Sequence, residues 1–254
     1  MGTTIDDILQ EQAEEENYRQ KEMEQAISER KANPLTEQAS EIHNYLPISR
    51  NTIEDEYIDH LWDAFLSLDT LGDSGRGFSI MPFHLLFILS LHYKILRIAK
   101  FKKTTYKNAF LLQYLNDEAS ELPTPKSVYT LGLLEESKMV NLFKIIGVKN
   151  DLVGQIKALV KNRNDNLGHA KGGIESNIEK RVDEYLNILV KIQPYFESFN
   201  NSVARKWFKD MEPGEAGVEY IQLHLAEEYL CPVDMQTGEL SKLDQRLNEK
   251  ANRA

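Results

Sequence analysis

IESNIEKRVDEYLNILVKIQPYF, residues Ile174 to Phe196, decides the fold class. Its apolar positions Ile174, Ile178, Val182, Tyr185, Leu186, Leu189, Ile192 and Phe196 recur at three- and four-residue steps. That spacing lines one face of an α-helix, whereas a strand would alternate at every second residue. The stretch therefore predicts a long amphipathic helix, with Pro194 near its end.

The same period continues upstream. Leu152, Val153, Ile156, Leu159 and Val160 mark one face of a preceding helix, separated from the first by a break at Leu167-Gly168. Leu133 to Ile146 carries a further helical pattern, interrupted before it by Pro123 and Pro125, and Tyr106 to Leu115 another. The segment Ile80 to Phe101 is apolar almost all round at its start and basic at its end, as expected of a central helix emerging from a core. Gly72, Gly75 and Gly77 predict a loop before it. Asn51 or Thr52 is placed to cap a helix bearing Ile53, Tyr57, Leu61, Ala64, Phe65 and Leu68. No repeat and no strand pattern is evident, so the expected class is all-α. Its expected core includes Ile53, Leu61, Phe65, Leu85, Leu89, Ile156, Leu159, Val182, Leu186 and Leu189.

Outside this body the composition changes. Residues 1–33 hold nine acidic and four basic side chains with thinly spaced apolar ones, which reads as a solvated helical or disordered arm ended by Pro34. A polar stretch then runs to Ser49. The tail from Ser202 is helical in places, Tyr220 to Leu230 among them. The expected organisation is an acidic arm over 1–49, a helical domain over 50–201 and a helical extension over 202–254.

The chain has 254 residues and a formal charge of −10, so net charge alone points to no nucleic-acid partner. Its distribution is uneven. Between Tyr93 and Asn108 there are six basic residues (Lys94, Arg97, Lys100, Lys102, Lys103, Lys107) and no acidic one. The lone Cys231 excludes an internal disulfide and a Cys-rich zinc site, as a reducing cytosol would favour. His43, His60, His84, His92 and His224 show no metal-binding spacing and read as packing residues, and neither metal nor cofactor is expected. The N-terminus has no basic and apolar signal pattern. The most apolar run, Leu85 to Leu91, is seven residues long, against about 20 needed to span a bilayer. A cytoplasmic protein without membrane contact is the expectation.

Chemistry concentrates in Lys161-Asn162-Arg163-Asn164-Asp165-Asn166-Leu167-Gly168-His169-Ala170-Lys171. Arginine offers a permanent charge and a planar fork for phosphate. Histidine titrates near neutrality and can pass a proton to or from a ribose hydroxyl. Asn164 adds hydrogen bonds. On an unbroken helix the six-residue step from Arg163 to His169 is about 600°, which leaves them pointing apart; Gly168 permits the turn that would bring His169 back.

This segment resembles the HEPN superfamily, whose signature is an arginine, a polar residue (often Asn) and, a few positions later, a histidine. Arg163, Asn164 and His169 match it, at the end of an amphipathic helix and before a long one. The resemblance implies an all-α HEPN-like bundle and a catalytic set of Arg163, Asn164 and His169. It also implies a homodimer that faces two motifs across one composite site. The activity implied is metal-independent RNA cleavage, the 2′-OH attacking the adjacent phosphate, in bacterial anti-phage defence or as a toxin with a neutralising antitoxin or other protein partner. Lys100, Lys102, Lys103 and Lys171 are the candidate RNA contacts. One departure is specific: in HEPN toxins paired with a nucleotidyltransferase antitoxin a Tyr stands two residues after the His, where this chain has Lys171. Control by modification at that position is not implied. The rival reading is a non-catalytic HEPN module that dimerises or senses a nucleotide within a defence complex. The bland one is an Arg and a His complementing a helix dipole.

Overall fold

The computed structural model describes residues 34–71, 73–113, 123–165, 177–211 and 224–251. Residues 1–40 and 41–254 form two compact units. In the first, α1 (Pro34–Ser40) closes with the Ser40 hydroxyl donating to the Glu37 carbonyl at 2.6 Å. Pro34 thus opens a helix, since a first-turn residue needs no backbone donor.

The second unit is all-α, with no strand among its described residues. A 3₁₀ turn (Glu41–Tyr45) leads to α2 (Thr52–Asp69), then α3 (Asp73–Phe101), α4 (Lys103–Gln113), α5 (Val128–Leu131) and α6 (Glu136–Met139). After a 3₁₀ stretch over Val140–Ile146 come α7 (Asn150–Arg163) and α8 (Ile178–Ile192). A 3₁₀ turn at Gln193–Phe196, which holds Pro194, joins α8 to α9 (Glu197–Met211). Two further helices, α10 (Pro232–Met235) and α11 (Gly238–Ala251), end the described chain, preceded by a helical segment over 224–228.

Helix starts follow local chemistry. Asn51 caps α2 by accepting from the Glu54 amide at 3.0 Å, and Asn177 caps α8 by accepting from Lys180 N at 2.9 Å. Gly147, at φ 83°, closes the 3₁₀ stretch in the left-handed region.

The centre of the unit is α3. It buries Phe83, Phe87, Leu91, Ile95 and Ile98 against α2, α8 and the 3₁₀ stretch before α7. Eight of the ten expected core residues are buried; Leu85 is half-buried and Ile53 is 69% exposed. Ile53 and Tyr57 miss the core because the buried stripe of α2 runs Glu54, Ile58, Leu61, Phe65 and Asp69, one position on. Two carboxylates occupy that stripe because each has a partner. Tyr93 donates to Glu54 at 3.0 Å, and Arg76 pairs with Asp69 at 3.0 Å.

The loop expected at Gly75 and Gly77 is instead the first turn of α3. A side chain at Gly75 would put its Cβ 2.3 Å from the Leu71 Cβ. Glycine here lets the first turn of α3 lie close against Leu71 in the connection and against the Leu68 carbonyl at the end of α2. By length and composition α3 could cross a membrane from Gly75 to Phe101, but 89% of its most apolar window is buried within the protein.

Beyond residue 201 the chain stays tied to this body. Helix α9 runs through the expected boundary, and α11 packs on it through Val203, Ala204, Trp207, Leu240 and Leu243. Arg97 of α3 meets Asp234 of α10 at 2.8 Å and also donates to Asn200. Asn200 in turn donates to Asp234 at 2.9 Å, and Cys231 donates its amide to the same carboxylate at 3.0 Å. Burial opposes ionisation of Asp234, yet the Arg97 and Lys94 charges hold its pKa well below the ordinary range.

Candidate functional site

Arg163 ends α7, and Asn164 follows it at the helix C-cap. The Arg163 Nη2 donates to Glu136 Oε1 at 2.7 Å. Both side chains are largely covered but reach solvent, at 19% and 22% exposure. Glu136 stands in the first turn of α6, where the helix dipole favours a carboxylate. Its other oxygen, Oε2, lies 3.4 Å from His84 Nε2 of α3, and His84 Nδ1 lies 2.8 Å from the hydroxyl of Tyr185 on α8. Four helices thus contribute one side chain each to a polar chain running from the core, Tyr185–His84–Glu136–Arg163, to the surface.

The protonation states follow from burial. His84 is fully enclosed, and desolvation lowers its pKa against the opposing pull of Glu136. A neutral ring accepts at Nδ1 from the Tyr185 hydroxyl and donates from Nε2 to Glu136, and this tautomer satisfies both contacts. For Glu136, burial raises the pKa, but the hydrogen bond from His84 and the charge of Arg163 oppose it and the net shift is downward. Glu136 is therefore an anion held between a neutral imidazole and a guanidinium. His92, two turns further along α3, is buried with its Nε2 unpaired, and burial lowers its pKa to about 4.

Chemically, the arrangement orients one guanidinium at the surface. Of its five donors, one is engaged by Glu136, and the buried Nε has no partner among the described residues; a guanidinium is the side chain best suited to an anion of fixed geometry. His169 and Lys171 lie outside the described residues, so the distance from Arg163 to His169 is not part of this geometry. Among the described residues, no group of three or more His, Cys, Asp or Glu side chains is placed to hold a metal ion.

The basic run splits along α3 and α4. Lys94 and Arg97 are buried: Lys94 donates to Gln193 at 2.9 Å and Arg97 joins the Asp234 network. Lys100 donates to the Glu227 carbonyl at 2.7 Å and pairs with Glu228 at 3.0 Å. Lys102, Lys103 and Lys107 are exposed. Lys100 follows His84 by 16 residues on α3, about 24 Å along a straight helix. The structure therefore does not bring the candidate RNA lysines Lys100, Lys102 and Lys103 next to Arg163.

Sequence reading singled out Arg163 but missed its neighbours. Glu136 sits in an acidic pair with no motif, and His84 and Tyr185 sit in apolar stripes that read as packing. Only the fold joins them, across 27 residues between Arg163 and Glu136 and 101 between His84 and Tyr185. No family model, curated protein sequence or solved structure matches this chain.

Proposed function

We propose that this chain is a HEPN-type, metal-independent endoribonuclease, acting as a homodimer in the cytoplasm in bacterial defence or as a toxin. One observation carries the reading beyond the motif itself. Arg163 is held at a helix end, partly open to solvent, by a carboxylate that the fold anchors to the core through His84 and Tyr185. A fixed guanidinium, six residues before His169 in the sequence, suits a phosphate under attack. One donor of that kind is worth about 10²–10³ in rate, and a proton-transferring histidine about 10²–10⁴. Asn164, next in sequence, would steady the ligand by hydrogen bonds.

The test is RNA cleavage by the purified chain in excess chelator. The expected products end in a 2′,3′-cyclic phosphate, and Arg163→Ala and His169→Ala each abolish cutting while the circular-dichroism spectrum stays unchanged. Cleavage that persists in the double variant, or that requires a divalent metal, overturns the proposal.

A second reading, a non-catalytic dimerising module, draws on the same ion pair. Glu136 neutralises Arg163 in this structure, as suits a motif kept for structure. An inactive but dimeric wild type favours that reading.

A further inference from the structure

The outer side of α2 leaves large apolar side chains in water. Ile53 and Tyr57 lie one turn apart on α2, Tyr129 stands on α5, and Leu133 sits in the turn that follows. All four are exposed, Leu133 at 73%. Local chemistry holds them outward. Ser127 caps α5 by accepting from the Thr130 amide at 3.4 Å, and α5 buries Val128 and Leu131, so Tyr129 faces away. The Tyr129 hydroxyl donates to the Ile53 carbonyl at 3.3 Å, and its ring lies 6.2 Å from that of Tyr57. The Leu133 amide donates back to the Thr130 carbonyl at 3.3 Å, keeping Leu133 within one turn of Tyr129. Two helices thus present one apolar patch with a tyrosine pair in it. Contiguous exposed apolar surface marks interaction sites, and tyrosine is enriched among the residues that carry binding energy.

A row of charge runs beside the patch. Glu56, Asp59 and Asp63 recur at three- and four-residue steps along α2, all exposed. From Glu56 to Asp63 the row is about 10 Å long. None of the three meets a Lys or Arg among the described residues, and α2 itself contains neither. Glu54 and Asp69 of the same helix differ, since they turn inward to Tyr93 and Arg76. The inward carboxylates of α2 are matched and the outward ones are not.

We propose that this face docks a basic amphipathic helix of another protein, its apolar side on Ile53, Tyr57, Tyr129 and Leu133 and its cations along Glu56, Asp59 and Asp63. An apolar row flanked by an anionic one calls for apolar side chains at three- and four-residue steps with Lys or Arg on one flank. The backbone of α2 is already paired within its own helix and offers a strand nothing to bond, so side chains carry the recognition. The same charges decide against other occupants. A second copy seated about a two-fold axis would set one carboxylate row against another. The phosphates of RNA or of an acidic lipid surface would meet the same repulsion. Docking here uses neither Arg163 nor His169, so it stands apart from the ribonuclease reading.

Fluorescence anisotropy of the full chain tests it, with a labelled eighteen-residue peptide of leucine and lysine whose leucines recur at helical spacing. Two comparison peptides are its glutamate counterpart and a peptide of the same composition with the leucines scattered. The patterned lysine peptide is expected to bind at micromolar concentration in low salt, and both comparison peptides at least tenfold more weakly. Glu56→Lys with Asp63→Lys weakens binding at least tenfold and Leu133→Ser at least threefold. Glu197→Lys with Glu249→Lys, an equal charge change at exposed positions on α9 and α11, stays within twofold. Should the charge-reversed α2 variant fail to fold, Leu133→Ser decides. The proposal is overturned if the patterned peptide does not bind at a hundred micromolar, or if the scattered peptide binds as well as it does. It is also overturned if neither α2 charge reversal nor Leu133→Ser alters binding. Sedimentation in which Leu133→Ser dissociates a dimer would give this face to a second copy, and RNA binding lost in the same variant would give it to nucleic acid; either result overturns the proposal.

Discussion

Arg97 and Asp234, 137 residues apart in sequence, form an ion pair at 2.8 Å with both side chains sealed from water. Removing one partner strands the other charge in the core, which costs about 3–5 kcal/mol. Arg97→Leu and Asp234→Leu are each expected to lose that much in urea unfolding, and the double variant clearly less than the sum. Additive losses would show that the two side chains do not act as a pair. The pair also sets an acid limit. Because the folded-state pKa of Asp234 lies below its unfolded value, its contribution is complete above about pH 4 and is lost as pH falls below that.

The buried histidines act over a different window. His92 is held neutral with a pKa of about 4, and His84 is lowered as well, in both cases chiefly by burial. In the unfolded chain both take a proton near pH 6.5. Unfolding therefore binds protons between the two values, so stability is full above about pH 7 and declines as pH falls towards 4. His92 alone accounts for about 3 kcal/mol of that decline. His92→Phe should flatten the dependence of Tm on pH across this range; an unchanged slope would assign the effect elsewhere.

Under the ribonuclease proposal, Glu136 competes with phosphate for Arg163. Glu136→Gln keeps a hydrogen-bond acceptor for the guanidinium and removes one negative charge beside the ligand. Because the pair is partly exposed, the gain falls at the low end of the Coulomb range, about fivefold tighter RNA binding at low salt, fading as salt rises. Fluorescence anisotropy with a labelled RNA checks it. Weaker binding in the variant would mean that the carboxylate acts only to position the arginine.

Two glycines give opposite expectations. A methyl group at Gly75 would collide with Leu71 at 2.3 Å, while one at Gly154 meets nothing within 4 Å. Gly75→Ala should cost about 1–3 kcal/mol as overpacking. Gly154→Ala, inside α7, should gain about 1 kcal/mol. Thermal melts of the two single variants decide, and the same sign for both would contradict the packing described.

The contrast between these glycines also shows what the sequence could and could not disclose. Periodicity alone placed α7 and α8, because their buried residues are apolar and evenly spaced. It misplaced the face of α2, where Glu54 and Asp69 are buried and Ile53 is not, because a carboxylate with a distant partner looks the same in sequence as a solvated one. It read Gly75 as a loop because a glycine needed for close packing is indistinguishable from one needed for a turn. At the candidate site, Arg163 carried a local pattern, whereas Glu136 and Tyr185 acquire meaning only from contacts between helices. Lys94 and Arg97 belonged by sequence to a basic surface run, and the fold turned them inward.

That inward turn bears on how the chain comes apart. A chain cut after residue 201 would keep Arg97, Lys94 and Asn200 but lose the carboxylate of Asp234, leaving two buried cations without their anion. The cut chain would not behave as a smaller version of the same fold. Its natural remedy is the missing piece itself: residues 202–254, supplied as a separate peptide, would bring back Asp234 and the apolar face of α11. The protein would reassemble from fragments and not from domains.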